Sequence, residues 1–200
     1  MAENFSYSLW LQILTIAIIN DLVDFFGIFP NLIETALDLL TGILIILLIK
    51  MKTFEAFQPK VVNKITTILA FMIVIDLLPF IDIAPLWTLS VLALHNDFHK
   101  LDLLMKTYST LNNLSKMLIR NPLPWSYIVH TISKAGNYLR EVGRMLSREV
   151  REEVLRLANE MKDYAIKHHV VEEEYPSEEE ARLLVSLIDS WLSRLVDLFE

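Results

Sequence analysis

Residues 8–29 (SLWLQILTIAIINDLVDFFGIF) and residues 32–49 (LIETALDLLTGILIILLI) are two long apolar stretches, separated by Pro30 and Asn31, and neither contains a lysine or an arginine. A helix rises about 1.5 Å per residue, so each stretch can cross a hydrocarbon core about 30 Å thick with some tilt or local thinning of the bilayer. The leader MAENFSYS has no basic residue, and no small-residue cleavage site follows it, which is unlike a cleaved signal peptide. We therefore expect an uncleaved helical hairpin in a membrane.

The composition favours helices throughout the chain. Of the 200 residues, 54% are hydrophobic, and the mean hydropathy is +0.41. The chain has only 4 glycines and no cysteine, which excludes a disulfide-rich scaffold, a zinc ribbon and a glycine-rich disordered chain. The apolar excess lies in residues 9–95, and the remainder has the pattern of amphipathic helix. We predict an all-α polytopic membrane protein with a membrane domain, residues 1–95, and a cytoplasmic helical domain, residues 96–200.

Positive charge is concentrated in two segments whose positions predict the orientation. The linker 50–64 (KMKTFEAFQPKVVNK) carries four lysines and one acidic residue, and residues 98–151 carry nine basic residues against three acidic ones. Basic segments beside apolar stretches tend to stay cytoplasmic, where anionic lipid attracts them, so we expect both termini to be cytoplasmic. Residues 152–200 carry 13 acidic residues against five basic ones, which makes nucleic acid an unsuitable partner.

A third apolar stretch, residues 65–94, is interrupted by Pro79 and Pro85. It is too long for one straight span and short for two. A single crossing would place the basic segment 98–151 outside, so we expect the chain to turn back near the prolines. This second hairpin either crosses twice or is re-entrant, and protein must bury its turn because lipid cannot satisfy irregular backbone.

An internal repeat favours this return. Aligning residues 13–32 with residues 68–87 gives eight identities. Sequences rich in Ile and Leu produce chance matches, but the shared pattern D-L-x-x-F-x-x-I-x-P, which starts at Asp21 and at Asp76, is harder to obtain by chance. We interpret the repeat as a duplicated hairpin, as in other membrane folds that are built from repeats.

Two amphipathic helices are expected directly after the apolar region. The first covers residues 99–120 and ends before Pro122 and Pro124, because proline disfavours helical geometry in the residue before it. The second is expected to be one long helix over residues 126–169, bent at Gly136 and Gly143. It is predicted from apolar residues at spacings of three and four, namely Leu139, Val142, Leu146, Val150, Val154, Leu157, Met161 and Tyr164.

A last helix is predicted to begin at a capping box formed by Ser177 and Glu180. Its apolar stripe steps by four and three residues through Leu184, Ile188, Trp191, Leu195 and Leu198. Such a stripe packs either on the long helix or on another subunit, and fewer than three full heptads do not decide between these two partners.

Four aspartates in the apolar region are the candidate functional residues: Asp21, Asp24, Asp38 and Asp76. Asp21 and Asp24 are three residues apart and share one helix face. No lysine or arginine occurs in either apolar region, so in lipid these acids must be protonated, hydrated or bound to a cation. They form either a cation-attracting vestibule or proton relay, or a set of hydrated acids near the headgroups at the turns.

The sequence shows no recognisable catalytic or metal-binding motif. His95 and His99 have the spacing at which two imidazoles can share a metal, but no clear third ligand accompanies them. A glycine-rich phosphate loop, a G-x-S-x-G motif and an H-E-x-x-H motif are all missing from the sequence. We therefore expect a protein that is not an enzyme and that needs neither cofactor nor metal.

These observations lead to two alternative functions. The first is an integral membrane protein with a structural, assembly or scaffold role, whose partners are the lipid bilayer and, through the C-terminal helices, a second copy of the chain or another protein. The alternative is an oligomeric cation or proton channel that uses Asp21, Asp24, Asp38 and Asp76.

Overall fold

The computed structural model of the chain describes residues 5–26, 31–53, 57–76, 85–168 and 174–199. Eight α-helices account for nearly all of these residues, and the all-α prediction is confirmed for this part of the chain. The helices are α1 (Phe5–Phe25), α2 (Asn31–Lys52), α3 (Lys60–Asp76), α4 (Leu86–Ala93), α5 (His95–Arg120), α6 (Trp125–Arg144), α7 (Arg148–Lys167) and α8 (Glu178–Phe199).

The chain divides into two compact units, residues 1–102 and 103–200, and the division falls within α5. Each unit has its own set of buried apolar side chains. The assignment of residues 1–95 to a membrane and of residues 96–200 to the cytoplasm stays a prediction.

In the first unit, α1 packs against α2 and α4, and α2 also packs against α3. The helices approach closely at Gly42 of α2, where an added Cβ would overlap the side chains of Ile73 and Trp87. Glycine is required here because neighbouring helices occupy the space of a side chain. The buried apolar side chains of this unit include Ile13, Ala17, Ile45, Ile49, Ile65, Leu69, Trp87 and Val91.

Helices α1 and α2 coincide with the two apolar stretches that were expected to form a hairpin. Within the described ranges, none of the helices is both long and apolar enough to cross a membrane. The turn at Pro30 and the turn around Pro79 lie outside the described residues. Helix formation is thus established for residues 8–25 and 32–49 of these stretches, and their position in a bilayer stays a prediction.

The helix boundaries agree with the internal repeat. The alignment that places residues 13–32 on residues 68–87 also places the start of α1 on the start of α3, and the start of α2 on the start of α4. In this alignment α1 corresponds to α3, and α2 corresponds to α4. The contact of α1 with α4 therefore corresponds to the contact of α3 with α2, and these are the two main helix contacts of the first unit. The sequence repeat therefore corresponds to a repeat in the arrangement of the helices.

In the second unit, the prediction of one long helix over residues 126–169 is wrong. The chain breaks at Met145–Ser147 into α6 and α7, which pack closely against each other. They run antiparallel, since Gly136 on α6 faces Met161 on α7, whereas Gly143 faces Val154 and Leu155. The two glycines that were expected to bend a single helix instead allow two helices to approach.

The turn between α6 and α7 is held by Arg151 from the first turn of α7. Its Nη2 donates hydrogen bonds to the carbonyl oxygens of Arg144 and Leu146, at 3.3 and 3.0 Å. These bonds satisfy carbonyl groups that the end of a helix leaves without intrahelical partners. The break is thus stabilised by a residue beyond the turn rather than by a proline or glycine within it.

Helix α8 begins at the predicted capping box, which is confirmed. The Glu180 amide donates to Ser177 Oγ at 3.3 Å, and the Ser177 amide donates to Glu180 Oε2 at 2.8 Å. The predicted stripe is buried at its first four positions, Leu184, Ile188, Trp191 and Leu195, and Phe199 replaces Leu198 as the fifth buried residue.

This stripe packs inside the second unit. The Trp191 ring meets the Tyr164 ring of α7 edge-on, with 5.8 Å between centroids. Arg194 of α8 forms a two-bond ion pair with Glu160 of α7, with the longer bond at 3.1 Å. Of the two packing partners left open by the sequence, the structure shows the one within the chain.

Candidate functional site

Asp21, the first of the predicted acids, caps a helix. Its two carboxylate oxygens accept hydrogen bonds from the backbone amides of Trp87 and Thr88, at 3.3 and 2.7 Å. These amides belong to the first turn of α4, whose N-terminal end carries a partial positive charge. Asp21 therefore links α1 to α4, and this role accounts for a carboxylate in an apolar helix.

Asp24 and Asp38 meet at Asn20, a residue that the sequence analysis did not single out. The Asn20 Nδ2 donates to Asp38 Oδ1 at 2.5 Å and to Asp24 Oδ2 at 3.3 Å. The Asn20 Oδ1 in turn accepts a bond from Thr41 Oγ1 at 2.7 Å. Asn20 and Asp38 are both buried, with 7% and 9% of their surface exposed. We call Asn20, Asp24, Asp38 and Thr41 the polar junction.

The structure thus brings together only part of the predicted set. The polar junction contains Asp24 and Asp38, while Asp21 points to α4. Asp76 is the last residue of α3, and its side chain lies outside the described residues. A polar amide inside the apolar stretch 8–29 was the signal that could have identified Asn20.

The two histidines considered for metal binding lie near the start of α5. The ring of His95 meets the Trp10 ring edge-on at 4.9 Å. Between these histidines, Asp97 forms an ion pair with Lys64 of α3 at 2.7 Å. In the ranges that the structure describes, no three His, Asp or Glu side chains are placed to hold a metal ion.

A cavity of about 220 Å³ lies in the second unit among α6, α7 and α8. Aromatic, acidic and leucine side chains line it: Trp125, Tyr164, His168, Glu180, Leu183, Leu184 and Leu187. We call it the aromatic cavity. The sequence alone does not reveal this cavity, because its walls come from three separate helices.

Two rings of the aromatic cavity stack on His168. The Trp125 ring stacks on the imidazole with 5.2 Å between centroids, and the Tyr164 ring stacks on it with 4.4 Å between centroids. A backbone bond from the Trp125 amide to the Glu174 carbonyl, 2.8 Å long, fixes the start of α6 beside the segment that leads into α8. The rings are thus held by α6, α7 and this segment together.

Glu180 supplies the carboxylate of the aromatic cavity. Hydrogen bonds from the Ser177 amide and then from the Ser177 hydroxyl lower the pKa of Glu180, and the charge of His168 acts in the same direction. Burial raises the pKa of Tyr164, and the nearby Glu180 charge raises it further. At neutral pH the cavity therefore contains an ionised carboxylate beside a neutral phenol.

Comparisons with protein-family models, with curated proteins and with solved structures found no match for this chain.

Proposed function

We propose that the protein is an integral membrane protein in which helices α1–α4 lie in lipid and the C-terminal helices have a structural or scaffold role. The observation that carries this proposal is the apolar surface of the first unit. Large apolar side chains cover its outside, while Asn20 and Asp38 are buried within its apolar core. In water much of that outer apolar surface is expected to be driven inward.

The outer apolar surface of the first unit is extensive. Phe25, Leu40 and Phe71 expose 78%, 61% and 63% of their surface. Apolar patches larger than a few hundred Å² are rare on soluble monomers and mark contact with a membrane or a partner. The apolar belt, as we call this set, comprises Leu11, Ile18, Ile19, Leu22, Phe25, Phe26, Ile33, Leu39, Leu40, Ile43, Leu44, Leu47, Met51, Phe71, Val74, Leu89 and Leu92.

Polar bonds between the helices support a location in lipid. In the hydrocarbon of a bilayer the hydrophobic effect does not drive helices together. Close packing and hydrogen bonds between helices stabilise their association instead. The Asn20–Asp38 bond, the Asp21 cap on α4 and the close contact at Gly42 are bonds and contacts of this kind.

A spin-label experiment tests the proposal, and the lack of native cysteine makes each label unique. Single cysteines replace Leu40 or Leu44 in the apolar belt, and Ile119, which is 71% exposed in the second unit, is the matched control. In protein reconstituted in liposomes, we expect oxygen, which concentrates in lipid, to relax labels at 40 and 44 more than a water-soluble nickel complex does. At position 119 we expect the reverse, and a preference for nickel at all three positions would overturn the proposal.

A non-enzymatic role is also proposed, because two of the candidate acids in the first unit have structural partners. Asp21 caps α4, and Asp38 is bonded to Asn20. The expected activity of the first unit is therefore to anchor the chain, while the close helical packing of the second unit provides a rigid module for assembly.

The polar junction favours a second candidate, a cation or proton pathway. Asp24 and Asp38 both accept from one Asn20 amide group, and two carboxylates this close repel each other. A shared proton or a bound cation would relieve this repulsion in lipid. The measurement is proton and potassium flux into liposomes for wild type, for Asp38→Asn, and for Asp163→Asn on the exposed surface of α7. Flux that is present in wild type and in Asp163→Asn but absent in Asp38→Asn would favour the pathway. If wild type shows no flux, the scaffold role is favoured.

A further inference from the structure

We propose that the aromatic cavity binds an alkylammonium group. The volume of the cavity limits the size of the ligand. Its volume of about 220 Å³ is below the several hundred Å³ typical of sites for drug-sized molecules. It is the volume of roughly seven waters at about 30 Å³ each, and it therefore suits a small amine or the end of a lysine side chain.

The walls of the aromatic cavity match both parts of such a ligand. Leucines 183, 184 and 187 offer apolar surface to methylene or methyl groups. The aromatic rings of Trp125 and Tyr164 line the same space. Aromatic rings attract ammonium groups through the ring quadrupole, and tryptophan does so most strongly.

Charge selects a cation rather than an anion. Glu180 is the one carboxylate among the described lining residues, and both of its hydrogen bonds from Ser177 end on Oε2. The Oε1 atom can therefore accept a bond from a ligand. The cavity also borders the last turn of α7, where helix carbonyl groups favour positive charge.

His168 is the residue that could oppose the ligand, since a protonated imidazole would repel a cation. Its ring stacks on the Trp125 and Tyr164 rings and forms part of the wall of the cavity.

The test uses the full chain in a non-ionic detergent, with 5-fluorotryptophan in place of tryptophan. Choline is compared with 3,3-dimethyl-1-butanol, which has the same shape without the charge. We expect choline to shift the fluorine resonance of Trp125 saturably and the alcohol to bind roughly tenfold more weakly or not at all, in keeping with the usual strength of a cation on aromatic rings. Equal affinity for both compounds, or no saturable shift at Trp125, would overturn the proposal.

A variant pair tests the carboxylate. Glu180→Gln removes the charge and keeps the capping box, because glutamine serves in this motif as well as glutamate. Glu179→Gln removes a charge from the same helix turn without lining the cavity. We expect about a tenfold loss of choline affinity for Glu180→Gln only; equal affinities in the two variants would contradict the role of Glu180. If Glu180→Gln proves unstable, the comparison of choline with the alcohol decides alone.

A third probe distinguishes the two sources of an alkylammonium group. n-Butylammonium reproduces the end of a lysine side chain, whereas choline represents a quaternary small molecule or lipid headgroup. Tighter binding of n-butylammonium would indicate a lysine of a partner protein, and tighter binding of choline would indicate the other source. The proposal does not depend on lipid around α1–α4, because the cavity lies wholly within the second unit.

Discussion

Single polar side chains connect the helices of the first unit. Asn20 joins α1 to α2 through the polar junction, and Asp21 joins α1 to α4. Both residues belong to one turn of α1, so that a single turn supplies the polar bonds to two neighbouring helices. A buried polar group is costly to leave without its partner, and each of these residues is therefore expected to matter for stability.

Replacing Asn20 tests this expectation. In Asn20→Leu, the carboxylate of Asp38 loses a donor and the hydroxyl of Thr41 loses an acceptor. We expect a loss of about 1–3 kcal/mol in the free energy of unfolding, seen as a lower thermal midpoint of the protein in detergent. Asn63→Leu, at an exposed position on α3, is the matched control. Equal midpoints for the two variants would show that the polar junction does not hold the helices.

Acid should weaken the N-terminal cap of α8. The pKa of Glu180 is lowered from its ordinary value of 4.5, so the folded chain binds its proton less readily than the unfolded chain. The stabilisation by the carboxylate is complete above pH 4.5 and is lost as the pH falls through the lower folded-state pKa. We expect the difference in thermal midpoint between wild type and Glu180→Gln to shrink over this acidic range. A difference that stays constant between neutral pH and about pH 3 would contradict this mechanism.

At the scale of elements, the close packing of α6 on α7 depends on glycine. A Cβ added to Gly136 would lie 3.3 Å from the Ala158 carbonyl oxygen and 3.3 Å from Met161 Cβ. Backbone cannot shift as easily as the end of a long side chain. At Gly143 the nearest atom is the flexible Leu155 Cδ2, so Gly136 is the more restrictive of the two positions.

Gly136→Val is therefore expected to destabilise the second unit. Overpacking of this kind costs about 1–3 kcal/mol, measured as a lower midpoint in thermal or urea unfolding. Asn137→Val places the same side chain at the next position, which is exposed, and is expected to cost less. If both variants lose the same stability, α6 and α7 do not pack through Gly136.

The sequence predicted the helices better than their ends. The capping box at Ser177 marks the start of α8 because its two residues bond to each other locally. The break between α6 and α7 has no such box: Ser147 occupies the N-cap position of α7, but its side chain makes no capping hydrogen bond. The apolar spacing that indicates one long helix also fits two antiparallel helices, and the residue that holds the turn, Arg151, acts from beyond it.

The same reasoning applies to the candidate sites. Carboxylates in an apolar stretch are conspicuous, so Asp21, Asp24 and Asp38 were found, but their partners were not. Whether a carboxylate caps a helix or meets another acid depends on contacts between helices, such as Asp21 with Thr88. The aromatic cavity was missed for the same reason, since Trp125 and Glu180 are distant in the sequence and adjacent only after folding.

At the scale of the whole molecule, the two units have different surfaces. The apolar belt covers α1–α4, while the second unit exposes fewer large apolar side chains within the described residues. Charge follows the same division, because the apolar regions contain no lysine or arginine and the later helices contain many charged residues. This contrast is expected if one unit meets lipid and the other meets water.

Single-cysteine labelling tests the proposed topology. Asn31→Cys, at the start of α2, is expected to react with an impermeant thiol reagent added to intact cells. Gln58→Cys in the basic linker and Arg148→Cys in α7 are expected to react only after the membrane is opened, because both basic segments should remain cytoplasmic. Gln58 and Arg148 are exposed on the protein. Reaction of Arg148→Cys in intact cells would refute an even number of crossings.

The repeat that relates α1 and α2 to α3 and α4 also bears on the origin of the fold. Helices α1 and α2 pack against each other, and they also pack against the second hairpin, α1 against α4 and α2 against α3. A shorter ancestral chain with one hairpin could have formed the contacts between hairpins only with a second copy of itself, as an isologous pair related by a twofold axis. The Asp21 cap on α4 would then have been a bond between two chains, which gene duplication and fusion made internal.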